Sequence, residues 1–266
     1  MTTIDLDDRV LSRGDGVVPT TSRWAAVTTI VVLAFLTVWG IYTCYANLGG
    51  ANFQADEPTY LGAGLNYVHG IFVENREHPP LAKYFIGEAQ IIGSTGKVSG
   101  RFITTTFVFV TGWVILFWLR REIGLVWAVT ATGAWWLLPR AAAEAGIRID
   151  RFAILEPFMV AFAIASLAVA WWWYRRGSWW LPAVSGILMA ASVTSKVSTA
   201  VLVLSFVYLA FRRKQLWRGL ISMFVYAMAF IATFILIYLP AGFMSSIEYM
   251  IQFQTNQRDG AAGDRS

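Results

Sequence analysis

Three groups of ionisable residues in this chain could do chemistry, and long apolar runs separate them. Asp56-Glu57-Pro58-Thr59-Tyr60 sets two carboxylates side by side. Such a pair can serve as a general base, bind a cation or orient a hydroxyl. The same acids could instead cap the helix that Pro58 starts and complement its positive end, and both readings stand at this point. Glu77-His78-Pro79-Pro80-Leu81-Ala82-Lys83 follows, with prolines that stiffen entry into a helix whose first turn presents His78 and Lys83. A cation there suits a lipid phosphate as charge and as donor, against the plain alternative of a snorkelling lysine and a surface histidine. The third group, Arg148-Ile149-Asp150-Arg151, runs into Glu156-Pro157 at the start of an apolar segment. An ionisable group within a membrane helix costs about 2.5–3.5 kcal/mol on insertion scales and is functional by default. Glu156 lies only about one turn in, so reaching the interface or pairing with Arg151 stays open. Lys196 adds a further cation at a polar break between two apolar runs.

The elements that must position these residues follow from composition. Of 266 residues, 57% are hydrophobic and 14% charged, with 13 Trp and 18 Phe. Soluble domains carry roughly 45–50% and about 25%, so there is too little charge here to coat a water-exposed surface. The chain reads as an all-α polytopic membrane protein. Cys44 is the only cysteine, which excludes a disulfide scaffold, and the net charge of +5 belongs to residues flanking apolar spans rather than to a nucleic-acid surface.

A hydrocarbon core of about 30 Å needs about 20 helical residues. Trp24–Ala46, Phe102–Leu119, Ile123–Leu138, Phe152–Tyr174 and Leu220–Leu239 meet that need or come close. The first is too long for a signal peptide, and the segment before it carries Asp5, Asp7, Asp8 and Asp15, so it reads as a retained anchor. Trp179–Phe211 is too long for one crossing and is broken by Ser192, Thr194, Ser195, Lys196 and Ser198. Arg175-Arg176 precede it and Arg212, Arg213, Lys214 and Arg218 follow. If both clusters are cytoplasmic, the chain crosses an even number of times between them, as two short helices meeting near Lys196. About seven spans result. Residues 1–23 form a cytoplasmic tail, 24–241 a membrane module with an outer loop over 47–101, and 242–266 an outer tail. The N-terminus lies in the cytoplasm and the C-terminus outside a plasma membrane. Within the outer loop, helices from Pro58 to about Val68 and from Pro79-Pro80 to about Ile92 lie along the interface. Asp56, Lys83, Arg151, Glu156 and Lys196 are expected to gather around one cavity facing away from the cytosol.

The order of these pieces resembles the protein O-mannosyltransferases and their relatives the aminoarabinose transferases, membrane glycosyltransferases of the GT-C class that use polyprenyl-phosphate sugars. Asp56-Glu57 matches the acidic pair of the family's first outer loop. His78-Pro79-Pro80-Leu81-Ala82-Lys83 matches its His-Pro-Pro-Leu-(Ala/Gly)-Lys stretch, the most specific piece. Arg151 to Glu156 matches an arginine followed five residues later by an acid, with Glu where Asp is usual. Gly186 through Ser195-Lys196 matches a glycine-containing helix ending in Ser-Lys. The resemblance spans about Trp24 to Gly242. It implies inverting transfer of a mannose-like sugar to a hydroxyl on the outer face, with Asp56 as base beside Glu57. His78, Lys83, Arg151 and Lys196 would hold the donor phosphate, supported by Arg148, Asp150 and Glu156. Its acceptor is a protein, lipid or glycan, and a divalent metal near the carboxylates is left open. Relatives carry further spans beyond this module, so a non-catalytic or split-half subunit with a second polypeptide is the alternative reading.

Overall fold

The structure, a computed structural model, describes residues 23–54, 56–137, 148–213 and 215–263. The expected tail before Arg23 lies outside them. Among the described residues there are ten α-helices: α1 Arg23–Tyr45, α2 Glu57–Val68, α3 Leu81–Ile92, α4 Lys97–Leu119, α5 Leu125–Leu137, α6 Glu156–Arg176, α7 Leu181–Val193, α8 Val203–Phe211, α9 Leu216–Tyr238 and α10 Phe243–Gly263. Two short 3-10 turns, Ile149–Arg151 and Val197–Leu202, lead into α6 and α8. By length and composition α1, α4, α6 and α9 can each cross a membrane, and α5, α7 and the Val197–Phe211 segment are shorter apolar helices. Their outward faces are apolar: Val31, Phe224 and Leu236 all sit more than half exposed, as lipid-facing residues should.

Local sequence sets most of the boundaries. Pro58 occupies the first turn of α2, where its missing N–H costs nothing. Gly177, at φ +75°, closes α6 in the left-handed conformation, with Arg175 and Arg176 in the last turn to complement the negative helix end. The break between α7 and α8 falls at Thr194-Ser195-Lys196, as the polar residues there predict. Other boundaries move. α4 begins at Lys97, five residues before the expected Phe102, which brings Arg101 inside the helix. α6 begins at Glu156, because Phe152–Leu155 runs as a buried non-helical strap. The expected outer tail is mostly the helix α10.

The helices pack in a row, α1 against α5, α5 against α4, α4 against α6, α6 against α7 and α7 against α9, with α8 against α6 and α9. Close approach is bought by small residues and polar pairs. Trp136 is fully buried between Gly40 and Gly112, where an added Cβ would meet its ring at 2.9 and 2.4 Å. Ser166 and Ser185 exchange hydrogen bonds between α6 and α7, including Ser166 Oγ to the Ser185 carbonyl at 2.8 Å. The hairpin α2–α3 lies across α4 and the strap before α6, joined by Tyr60, Leu61, Ala82, Ile86, Phe152 and Phe158. The hairpin helices touch backbone to backbone, since a Cβ on Gly87 would stand 2.1 Å from the Gly64 carbonyl oxygen.

Gly87→Val should therefore pry α2 from α3. Thermal unfolding in detergent should show a loss at or above the ~1–3 kcal/mol of core overpacking, with faster proteolysis between residues 69 and 80. Glu88→Val, on the exposed side of the same turn, should stay within about 0.5 kcal/mol of wild type.

Candidate functional site

The end of the bundle that carries Asp56 and Glu57 is built on one buried ion pair. Arg101 donates from Nε to Glu57 Oε1 at 2.7 Å and from Nη2 to Oε2 at 2.6 Å. Its remaining donors reach the carbonyls of Leu48, Ala51 and Asn52 at 2.7, 3.1 and 2.9 Å. Glu57 also accepts from the Ala153 and Gln54 backbone N–H groups at 2.9 and 3.3 Å. The guanidinium lies over the Phe152 ring, 4.8 Å from its centroid. Glu57 and Arg101 are 0% and 1% exposed. The loop after α1, the start of α2, α4 and the strap before α6 thus meet at one charge pair. Both Glu57 oxygens are occupied and sealed from solvent, so the two adjacent carboxylates expected to act side by side stand in different environments.

Asp56 differs from its neighbour. It is exposed, sits at the N-cap of α2 with helical backbone angles, and makes no side-chain cap hydrogen bond. The capping alternative therefore fails for this residue. One turn on, Tyr60 is buried, and its phenol is pushed well up by burial first and then by the charges of Asp56, Glu156 and Glu77. The His78 ring packs edge-on against Tyr60, with centroids 6.0 Å apart. Burial and the adjacent Lys83 hold the imidazole below its usual range, while Glu77 and Asp56 oppose them, so His78 is neutral near pH 7. Asp56, Tyr60, Glu77, His78 and Glu156 form one electrostatic neighbourhood, and Lys196 joins it through His78.

Lys83 does not face the headgroups as the sequence suggests. It is 0% exposed and turned into the hairpin, where Nζ meets the Asn75 carbonyl, the His78 carbonyl at 2.8 Å and the Tyr67 hydroxyl at 3.2 Å. Burial pushes its ammonium down to about 7, against the pull of Glu77. Lys83 thus fixes the loop that carries His78 rather than presenting a cation to it.

Lys196 is a half-buried cation of this end. It forms an ion pair with Glu156, both only partly buried. The backbone brings the two motifs together, since Leu81 N–H donates to the Thr194 carbonyl at 2.9 Å. Between them opens a cleft of about 630 Å³ lined by Glu77, His78, Pro79, Lys196, Ser198 and, from α10, Met250. Ile251 and Thr255 extend the α10 wall, which the sequence reading missed because it took that segment for an outer loop.

Arg148, Asp150 and Arg151 form a separate group. Arg148 grips Asp150 at 2.9 and 2.8 Å and reaches the Trp135 and Trp136 carbonyls at the end of α5. Arg151 donates to the Ala46 carbonyl at the end of α1, and its Nε is buried without an acceptor among the described residues. The expected single cavity is therefore corrected. Asp56, Glu156 and Lys196 share one neighbourhood, Lys83 lies sealed behind it, and Arg151 belongs to the arginine group beside Glu57. Arg101 was missed, though an arginine four residues into an apolar helix is itself a signal. Among the described residues no group of three or more His, Cys, Asp or Glu side chains is arranged to hold a metal ion.

Neither a family model nor a curated protein matches this sequence. Among solved structures, the chain is similar to the S. cerevisiae protein O-mannosyltransferase Pmt1-Pmt2 complex bound to the sugar donor, with TM-score 0.64 and 16% identity over 81% of this chain. It spans about a third of that chain's length, 34%. The likeness establishes a shared fold, the one that the resemblance in sequence implies.

Removing one member of the buried pair leaves an uncompensated charge, a loss of about 3–5 kcal/mol. Arg101→Met and Glu57→Leu should each lower thermal stability in detergent by that order. The double variant should recover a large part of it. Equal losses that simply add would mean the two side chains do not act as a pair.

Proposed function

We propose that this chain is a membrane glycosyltransferase module that moves a mannose-like sugar from a polyprenyl-phosphate carrier to a hydroxyl acceptor at the end of the bundle bearing Asp56. The observation that carries this reading is the shared fold together with Asp56, a carboxylate left exposed and uncapped whose charge is felt by His78 in a cleft shared with Lys196. Asp56 takes the acceptor O–H proton as that oxygen bonds to the anomeric carbon. The bond from that carbon to the phosphate oxygen breaks with inversion, and its electron pair goes to the phosphate. Lys196 and neutral His78 meet the growing negative charge, the stabilisation that lowers such barriers most. Glu57, Lys83 and the Arg148–Asp150 pair position these groups, and Arg151 supports them from the adjoining arginine cluster. A split-half subunit working with a second polypeptide is the runner-up, favoured by the matched structure being a Pmt1-Pmt2 complex.

The proposed orientation puts Asp56 outside the cell. Arg23, Arg120, Arg121, Arg175, Arg212 and Arg218 lie at helix ends that antiparallel packing gathers at the opposite side, which the positive-inside rule assigns to the cytoplasm. With Cys44 replaced by Ser, a cysteine at exposed Asn52 should react with an impermeant thiol reagent on intact cells, and one at exposed Gln215 should not. The reverse pattern inverts the topology.

The reaction is tested in membranes supplied with radiolabelled polyprenyl-phosphate mannose. Asp56→Asn should cut label transfer by the 10²–10⁴ that general-base catalysis contributes, roughly. Undiminished transfer in that variant would remove Asp56 as the base. Transfer that wild type performs only after a second polypeptide is added favours the split-half reading.

A further inference from the structure

Helix α10 is held at two places. Its root is the end of α9, the helix it chiefly packs against. Gly242, at φ +77°, turns the chain between them, and Phe243 packs edge-on against Phe234 and Tyr238. The Tyr238 hydroxyl adds a 3.6 Å contact to the Met250 sulfur, a weak acceptor. The second place is the loop of the α2–α3 hairpin. There Arg76 donates from Nη2 to the Ser245 hydroxyl at 3.3 Å, and its guanidinium lies over the Tyr249 ring, 5.1 Å from the centroid. Among the described residues, every hydrogen bond or ring contact between α10 and the hairpin is made by Arg76.

The spacing of these residues explains the arrangement. Ser245 and Tyr249 are four apart and share one face of α10, while Ile251 and Thr255, also four apart, share another that lines the cleft. Arg76 stands on a fixed base. The Lys83 ammonium holds the Asn75 carbonyl on one side of it and the His78 carbonyl, at 2.8 Å, on the other. Residues 75–78 thus form a bracket that carries Glu77 and His78 into the cleft and Arg76 onto α10. The cleft so enclosed has unlike walls. His78, Lys196 and Ser198 supply charge and hydrogen-bond donors, and Met250 and Ile251 of α10 supply apolar surface.

We propose that Arg76 is a positioning residue of the cleft: it holds α10 so that Met250 and Ile251 meet the first hydrocarbon units of a polyprenyl phosphate while Lys196 and His78 take its phosphate. Arg76 itself touches no ligand. Its effect is carried by α10, so it favours a phosphate that bears a hydrocarbon over a bare one. The inference deepens the transferase reading and rests on it for the class of ligand, though not for the joint between Arg76 and α10.

The test measures binding of farnesyl phosphate and of inorganic phosphate to the full chain by isothermal titration calorimetry in one detergent. Arg76→Gln should weaken farnesyl phosphate by roughly two- to fivefold, the worth of an exposed cation–π contact, and leave inorganic phosphate unchanged. Tyr249→Leu, made from the α10 side, should do the same. The double variant should be no worse than either single one, as for two residues that act through one contact. Arg76→Lys, which keeps a cation and a donor, should restore most of the affinity. Spin labels at Val73 and Gln252, both exposed, in a Cys44→Ser background, should show a longer or broader distance in Arg76→Gln than in wild type. Equal weakening of both ligands would make Arg76 a phosphate ligand and overturn the proposal. So would unchanged affinity in Arg76→Gln, losses that add in the double variant, an Arg76→Lys protein no better than Arg76→Gln, an unaltered label distance, or a wild type that binds no farnesyl phosphate. Farnesyl phosphate bound as expected, by a wild type that transfers no mannose, would remove the transferase reading and leave this one standing.

Discussion

The Asp56 end of this molecule depends on a charge pair that has no access to water. A carboxylate and a guanidinium both cost several kcal/mol to desolvate, roughly, and their attraction offsets this only when geometry and additional hydrogen bonds are right. Glu57 and Arg101 meet both conditions: two parallel contacts between them, two backbone donors to the acid and three carbonyl acceptors for the base. The partners come from four stretches of chain that share no local reason to meet. A low-dielectric pair of this kind is directional where the surrounding apolar contacts are not. It fixes the register of α2 against α4, and Asp56, the next residue back from Glu57, is aimed by the same clamp.

The ionisable groups of the chain sort into two populations along the bundle axis. One end holds acids and bases in close mutual contact, several of them buried, and burial first, with neighbouring charges second, displaces the titration of Tyr60, His78 and Lys83. The other end holds arginines that are mostly exposed and, apart from stacking such as Arg213 over Trp173, make few specific contacts. The difference is physical. Exposed arginines near a membrane surface interact with a field, whereas groups packed within hydrogen-bond distance acquire individual roles. An ordered set of unlike charges is what chemistry on a polar substrate requires.

Much of this was legible in the sequence because the signals are local. Apolar run length gave the helices, the polar string Ser192 to Ser198 gave the break between α7 and α8, and Pro58 and Pro79-Pro80 gave the starts of the hairpin helices. What failed was direction. Lys83 lies in a turn whose spacing fits either face, and only the approach of α2, permitted by Gly64 and Gly87, decides that it points inward. Glu57 and Asp56 are neighbours in sequence, yet about 100° apart around a helix start, so one falls against Arg101 and the other into solvent. Arg101 seemed to belong to the loop because α4 was started too late. Helix α10 carries polar residues throughout, so no apolar run announces it, and its contribution to the cleft through Met250, Ile251 and Thr255 could not be inferred.

The two ion pairs at the Asp56 end, Arg101–Glu57 and Lys196–Glu156, also differ in how readily they can be exchanged. Arg101 and Glu57 side chains are 1% and 0% exposed, whereas Lys196 and Glu156 are 27% and 43% exposed. Exposed pairs are worth about 0–1 kcal/mol, because water competes for both partners. Separating Lys196 from Glu156 is therefore cheap, and the released ammonium keeps its hydration until another anion arrives. Separating Arg101 from Glu57 would leave two buried charges without partners. On the proposed reading this asymmetry divides the labour: the buried pair holds the frame while Lys196 changes partners from a carboxylate to a phosphate. A cation that must bind a phosphate and later let it go is better placed in a weak pair at the mouth of a cleft than in a strong one beneath it.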